Sequence, residues 1–271
     1  PGTVIEFSDD TLLICYGKVE FRGTESNPIQ LIQKGEITKG SGVWVFGEKT
    51  EGSVFRYCQF SHMGLNRLLP AQLTGLLNVH HTKNITVESC QFSDNHLGDD
   101  CVHFVNVDNV LFKDNHFHSI PSDAIDFDYV KGRVENSTFR SIGNDAIDLM
   151  GSSFLIAGNQ ISGAQDKGIS VGERSLMAAV QNVFKDNFIA IQSKDESRVL
   201  IGGNEFEANR RVTHLLEKNN RFGPPHPIVR ISDDADSKGW IHEAERFLED
   251  GQDSLSPTFE EWNKHESAFR N

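Results

Sequence analysis

Two stretches of this chain, SDAIDFD at 122–128 and NDAIDLM at 144–150, repeat Asp-Ala-Ile-Asp with a step of 22 residues. They supply four carboxylates: Asp123, Asp126, Asp145 and Asp148. The neighbouring phrases DDCVHFV, from Asp99, and DKGISVG, from Asp166, add Asp100, His103 and Lys167. If successive phrases lie side by side at the interstrand spacing of about 4.8 Å, the four Asp residues form a square. Carboxylates that close repel by roughly 3–4 kcal/mol at an effective dielectric of about 20, and by about 1 kcal/mol in water. Three compensations are open: a bound cation, a carboxyl that keeps its proton, or a basic neighbour such as Lys167. An all-oxygen cluster suits calcium, whereas a retained proton suits acid catalysis. The competing reading is structural, because Asp at a strand start accepts backbone N–H bonds at the corner. It fits Asp123 and Asp145 better than Asp126 and Asp148, which stand mid-strand where Asp is disfavoured.

Elements that could set these acids side by side are written in the same period. Ile125, Ile147, Ile169 and Ile191 follow one another at 22 residues, as do Phe117, Phe139, Ile161 and Val183. A polar column, Asn115, Ser137, Asn159 and Gln181, keeps the same step. A fixed period of this kind means that each unit is one supersecondary element stacked on the next. Alternation within the units, as in VLFKDNHF and RVENSTF, marks half-buried strands. The expected fold is all-β: a right-handed, single-stranded parallel β-helix, a solenoid of about 22-residue coils, with a short helical C-terminal tail. With Ile125 inward, period-two alternation turns Asp126 outward. The outward column then reads His103, Asp126, Asp148, Ser170, Gln192, and the strand-entry column Asp100, Asp123, Asp145, Lys167, Ile189.

The polar column should point inward, its stacked amides bonding to one another. In SVFRYCQF and ITVESCQF its place is taken by Cys58 and Cys90, expected to stack as free thiols. These phrases stand 32 residues apart, so GLNRLLPAQL (64–73) should loop out. His80, His81, His116 and His118 are expected at the surface. The solenoid is assigned to 1–210, and 211–271 to a linker and amphipathic tail. In that tail WIHEAERFLED places Trp240, Ile241, Ala244, Phe247 and Leu248 at helical spacing to cover an end or side of the solenoid, and TFEEWNKHESAF does so more weakly.

Composition narrows the partners. A net charge of −13 argues against a nucleic-acid partner, which needs clustered Lys and Arg. No apolar run reaches membrane-spanning length, and the four cysteines lack zinc-like spacing. PGTVIEF opens the chain like a strand in mid-protein, so association with further domains is expected.

SDAIDFD resembles the polygalacturonase phrase Asn-Thr-Asp-Gly-Ile-Asp, with Asp123 at the catalytic-acid position. NDAIDLM is similar to the family's Asp-Asp-Cys-Val, with Asn144 for the first Asp and Asp145 for the second. DKGISVG parallels Gly-His-Gly-Ile-Ser-Ile-Gly, with Lys167 where the family has histidine, and only Gln192 or a displaced Lys194 stands near the family's Arg-Ile-Lys. The stretch also resembles uncharacterised bacterial β-helix regions. Within the pectin-lyase-like superfamily, calcium-assisted lyases hold the ion with Asp residues from adjacent coils and use Lys or Arg as the base. The resemblance therefore implies a polysaccharide partner, an extracytoplasmic location, and lyase or epimerase chemistry. A degenerate polygalacturonase-like hydrolase and a non-catalytic carbohydrate-binding or structural module are the alternatives. The expected catalytic residues are Lys167, Asp123, Asp145 and His103. Asp123, Asp126, Asp145 and Asp148 are the expected metal ligands, and Asp100, Lys194 and Arg133 the expected substrate contacts.

Overall fold

A computed structural model describes residues 1–65, 73–232 and 235–251. The chain winds through parallel coils that present strands on three faces, with Leu77–Glu88 and Asp100–Lys113 each running across two of them. The first face is a nine-stranded sheet running from Val4–Phe7 to Glu205–Glu207. A second, the site face, carries Asp123–Asp128, Ile147–Met150, Lys167–Gly172 and Ile189–Lys194 in consecutive register. The third, the helix face, carries Lys131–Glu135, Ser153–Ala157, Leu176–Val180 and Arg198–Gly202. This is the all-β parallel solenoid expected from the period, and its ladder spans most of the chain.

Inward positions build the core as the columns require. Ile125, Ile147, Ile169 and Ile191 pair coil to coil and are fully buried. On the first face Phe60, Phe92, Phe117 and Phe139 stack with ring centroids 4.8, 4.6 and 4.9 Å apart, close to coplanar. The polar column is an internal hydrogen-bond ladder. Asn159 Oδ1 accepts the Ser137 N–H at 2.8 Å, while its Nδ2 donates to Val134 O and Asn182 Oδ1, both at 2.9 Å. Each amide of this ladder thus has a partner, which removes the cost of placing it inside. Cys58 and Cys90 head this ladder as buried free thiols, their sulfurs against Phe21 O and Phe55 O.

The fourth rung of two columns differs from the 22-residue expectation. Ile161 pairs with Phe184, not Val183, and Asn182, not Gln181, continues the amide ladder. Ser153 pairs with Leu176, so this coil is one residue longer, while Met150 still pairs with Gly172. The extra residue is taken up at the corner of Glu173 and Arg174, both at positive φ (50° and 62°). Corners absorb length changes that strands cannot, since a one-residue slip in a strand would turn its inward face out.

Past residue 210 the ladder continues: Arg211–Leu216 pairs with Ile189–Lys194, and Val229–Arg230 with Arg198–Gly202. Strand stacking therefore extends into the segment assigned to the linker. The helix Ser237–Gly251 lies along the helix face. Its Trp240, Ile241, Ala244, Phe247 and Leu248 pack on Leu155, Ala178, Val180 and Leu200, so it covers a side of the solenoid. TFEEWNKHESAF lies outside the described residues. So does most of the looped-out segment, of which Gly64–Leu65 pairs antiparallel with Gly40–Ser41.

Candidate functional site

Both acid columns form as the alternation requires. Outward side chains run in register from Trp44 through Asn78, His103, Asp126, Asp148, Ser170 and Gln192 to His214. Beside them Asp100 pairs with Asp123 at the strand entry. Hydrogen bonds carry that line onward: Asp123 Oδ1 accepts the Asp145 N–H at 2.6 Å, and Asp145 Oδ1 accepts the Lys167 N–H at 3.0 Å. Each corner Asp therefore caps the next coil. Asn144 Nδ2 adds a 2.6 Å bond to Asp123 Oδ1.

No four of the acids bring ligand atoms within 4.8 Å of one another among the described residues. Asp123, Asp145 and Asp148 bring ligand atoms within 4.8 Å of one another, while Asp126 groups with Asp100 and His103 at the same closeness. The split follows from side-chain direction, since Asp126 leans towards the coil of His103. His103 Nε2 lies 3.9 Å from Asp126 Oδ2 and 3.3 Å from Asp128 Oδ2, and its Nδ1 lies 2.8 Å from Thr74 Oγ1. Asp128 is a site member that the columns overlooked, although its outward position, two residues beyond Asp126, was legible.

Crowding and burial set the protonation of the cluster. Burial, then the charge of Asp145, pushes Asp123 up to about 8. Burial and Asp148 raise Asp145 to about 6, although the Lys167 ammonium pulls the other way. Asp100 rises to about 6 by burial, against His103 and Thr74. Asp126 is raised well above the carboxylate range by burial and then Asp128, even though its side chain keeps 23% exposure. Glu173, at the far end, is lifted to about 7 by burial, with the Lys194 charge opposing it.

Two lysines flank the acids. Lys167 Nζ lies 3.2 Å from both oxygens of Asp145 and also binds Asp166. Burial opposes its charge, but the two carboxylates outweigh that, and the ammonium is held above the usual lysine range. This is the reverse of the lowered value that a lysine base needs. The buried Lys194 reaches across Gly172 to place Nζ 3.8 Å from Asp148 Oδ1; a Cβ on Gly172 would stand 3.0 Å from Lys194 Cε. Arg133 is not brought to the acids. It lies on the helix face, bonded to Glu135 at 2.6 Å and to Glu245 of the C-terminal helix at 3.1 Å.

His80 is buried rather than at the surface, edge-on to Trp44 and 5.6 Å from His103. Burial, then His103 and His81, lowers it to about 3, so it is neutral. His116 and His118 are exposed as expected.

Several solved structures are similar to the chain. The catalytic domain of a GH87 α-1,3-glucanase in complex with tetrasaccharides matches at 13% identity and a TM-score of 0.44, over 85% of this chain and 62% of that one. The glycan biofilm-modifying enzyme WceF of Pantoea stewartii matches at 12% and 0.47, over 87% and 34%. An alginate lyase from Paenibacillus sp. str. FPU-7 matches at 13% and 0.40, over 84% and 93%. The chain thus spans less than two thirds of the first two. No curated protein matches the sequence at a significant level. The model of the family described as the right handed beta helix region matches residues 18–154 and 74–222. Together these matches cover most of the ladder described above, and the chain belongs to that family.

Proposed function

We propose that the chain acts on an acidic polysaccharide laid along the site face, by proton-transfer chemistry of the lyase or epimerase type. One observation carries this reading: three carboxylates from two adjacent coils converge within 4.8 Å on an outward face. A uronate polymer would be repelled by such a row unless a cation or protons intervened. The donor set fits a hard divalent cation such as calcium, because all three ligands are oxygens. Moreover, the hydrogen bonds of Asp123 and Asp148 use Oδ1, leaving Oδ2 of each to face an ion. Asp123, Asp145 and Asp148 would hold the ion, which when bound would neutralise a uronate carboxylate and acidify the neighbouring C–H.

The protein's own residues take the remaining roles. With no cation bound, Asp123, at about 8, holds a proton at neutral pH; a bound cation would take that proton's place. Asp148 stands beside it, with Lys194 Nζ 3.8 Å away. Lys167 serves as base only from its scarce neutral form; as it stands in the ion pair, it is a cationic anchor for a substrate carboxylate.

A hydrolytic reading is favoured by the same protonated Asp123, since a general acid must hold its proton. A panel of uronate polymers separates the readings. Elimination yields the ultraviolet absorbance of an unsaturated uronate, and epimerisation yields solvent deuterium at C5 without chain cleavage. Hydrolysis yields reducing ends without that absorbance. Binding with no product would leave a non-catalytic module, and neither binding nor product would overturn the proposal. A polymeric substrate of this kind would place the protein outside the cytoplasm.

A further inference from the structure

Resting on the polysaccharide reading above, we propose that the rings of Tyr16, Phe46 and His81 form a distal subsite that grips the same sugar chain several units away from the acid triad. Outward side chains run in register from Phe46 through His80, Val105 and Asp128 to Met150, whose strand also carries Asp148. Phe46 thus stands four strand spacings from the coil of Asp148, about 19 Å. Tyr16 lies one coil earlier still, since Cys15 pairs with Val45. A pyranose polymer laid along the solenoid axis advances by a similar length per sugar, so the rings meet it about four to five sugars from the triad.

The rings are presented to solvent rather than packed away. Tyr16 is 61% exposed, and Ile14, two residues before it, 40%. Phe46 is half-buried and is met edge-on from both neighbouring coils, by Tyr16 at 6.2 Å and by His81 at 5.7 Å. Trp44, packed among Leu12 and Leu73, lies 4.9 Å from Phe46 and anchors this shelf. A single exposed apolar residue means little, but a contiguous apolar patch marks a contact surface. A pyranose has an apolar C–H face, which suits the electron-rich face of an aromatic ring, and a rim of hydroxyls that needs polar neighbours. A cleft of 690 Å³ supplies them and joins the shelf to the acid row. It begins at His81 and follows successive corners past Asn106 to Tyr129, the neighbour of Asp128. Its volume falls within the range of ligand sites, about 300–1,000 Å³. Two lysines, Lys83 and Lys131, stand in its lining against three acids, so a uronate chain meets far less repulsion there than along the row. Lys83 is held by Glu51 at 3.5 Å, while Lys131 is exposed and offers its ammonium to a sugar carboxylate.

The test is calorimetric titration of the full chain, with calcium present, using oligouronates from galacturonan and from alginate, dimer to octamer. Affinity should rise in a step once the oligomer has about six sugars, because only then does it span both row and shelf. Tyr16→Ala should weaken octamer binding about fivefold or more, the usual cost of truncating an aromatic anchor. The same variant should leave trimer binding unchanged, and Tyr16→Phe should keep the wild-type step. Octamer binding without the step, or unaffected by Tyr16→Ala, would overturn the subsite and leave the acid-row reading standing. A step that depends on Tyr16, with no product formed, would support the subsite and make the protein a binding module. No binding at any length would sink both. The length series is read on the wild-type protein, so it does not depend on a variant folding.

Discussion

Asp123 answers to two demands, since its Oδ1 caps the next coil while its carboxyl sits beside Asp145 and Asp148. Its value in the folded protein, about 8, lies above that of an unfolded Asp. Its contribution to stability is therefore complete below about pH 4 and is lost as pH rises through 8. Asp123→Asn keeps an oxygen for the Asp145 N–H and removes the charge. Without added metal it should raise stability at pH 8 by about 1 kcal/mol or more and change little at pH 4; urea midpoints at the two pH values check this. Lys167→Met should cost about 3 kcal/mol at pH 8, because it leaves the buried Asp145 carboxylate without its cation. The cost should shrink below pH 6, where Asp145 takes up a proton. Saturating Ca²⁺ at about 100 times its Kd should add about 2.7 kcal/mol, and Asp148→Asn should remove most of that gain. A melting temperature indifferent to calcium and chelator would speak against the oxygen triad.

Strands and corners explain what could be read in advance. Inward aliphatics repeat because each must fill the same slot above its predecessor, so the Ile column and the outward Asp column were both legible. The slip at Phe184 and Asn182 was not, because it depends on how many residues turn the corner at Glu173 and Arg174. His80 misled for a related reason: alternation says which way a side chain points, not whether Trp44 will cover it. Nor does alternation say which way an outward Asp leans, so the division of four acids into two groups became visible only in three dimensions. The amide ladder invites a direct test. Asn159→Ala would strand the Ser137 N–H and the Val134 carbonyl in a dry interior, at about 2–4 kcal/mol. Asn159→Ser should cost less, as Ser137 already holds a rung, its Oγ accepting the Asn115 N–H at 3.1 Å. Denaturant midpoints of the two variants should order in that way.

At the scale of the molecule, the C-terminal helix matters more than its length implies. Ala244, fully buried, is the point where it touches the apolar helix face. Ala244→Glu would put a charge there, which is costly without a partner. The helix should lift, Leu155, Ala178 and Leu200 should become accessible to a hydrophobic dye, and the core ladder should keep its far-ultraviolet signature. The amphipathic spacing of Trp240 and Phe247 made this contact readable as a cover. The Arg133–Glu245 link was not, because it joins residues 112 positions apart through nothing periodic.

Because that helix lies across three successive strands, Ser153–Ala157, Leu176–Val180 and Arg198–Gly202, it ties separate coils together like a clasp. A coil elsewhere is held mainly by its two neighbours. Under tension applied at the two ends, the clasp must come off before the last coils can pay out. The first coils, among the described residues, can peel away one by one. The molecule should therefore be mechanically lopsided, with its acid row lying beyond the clasp for a pull from the C-terminal end.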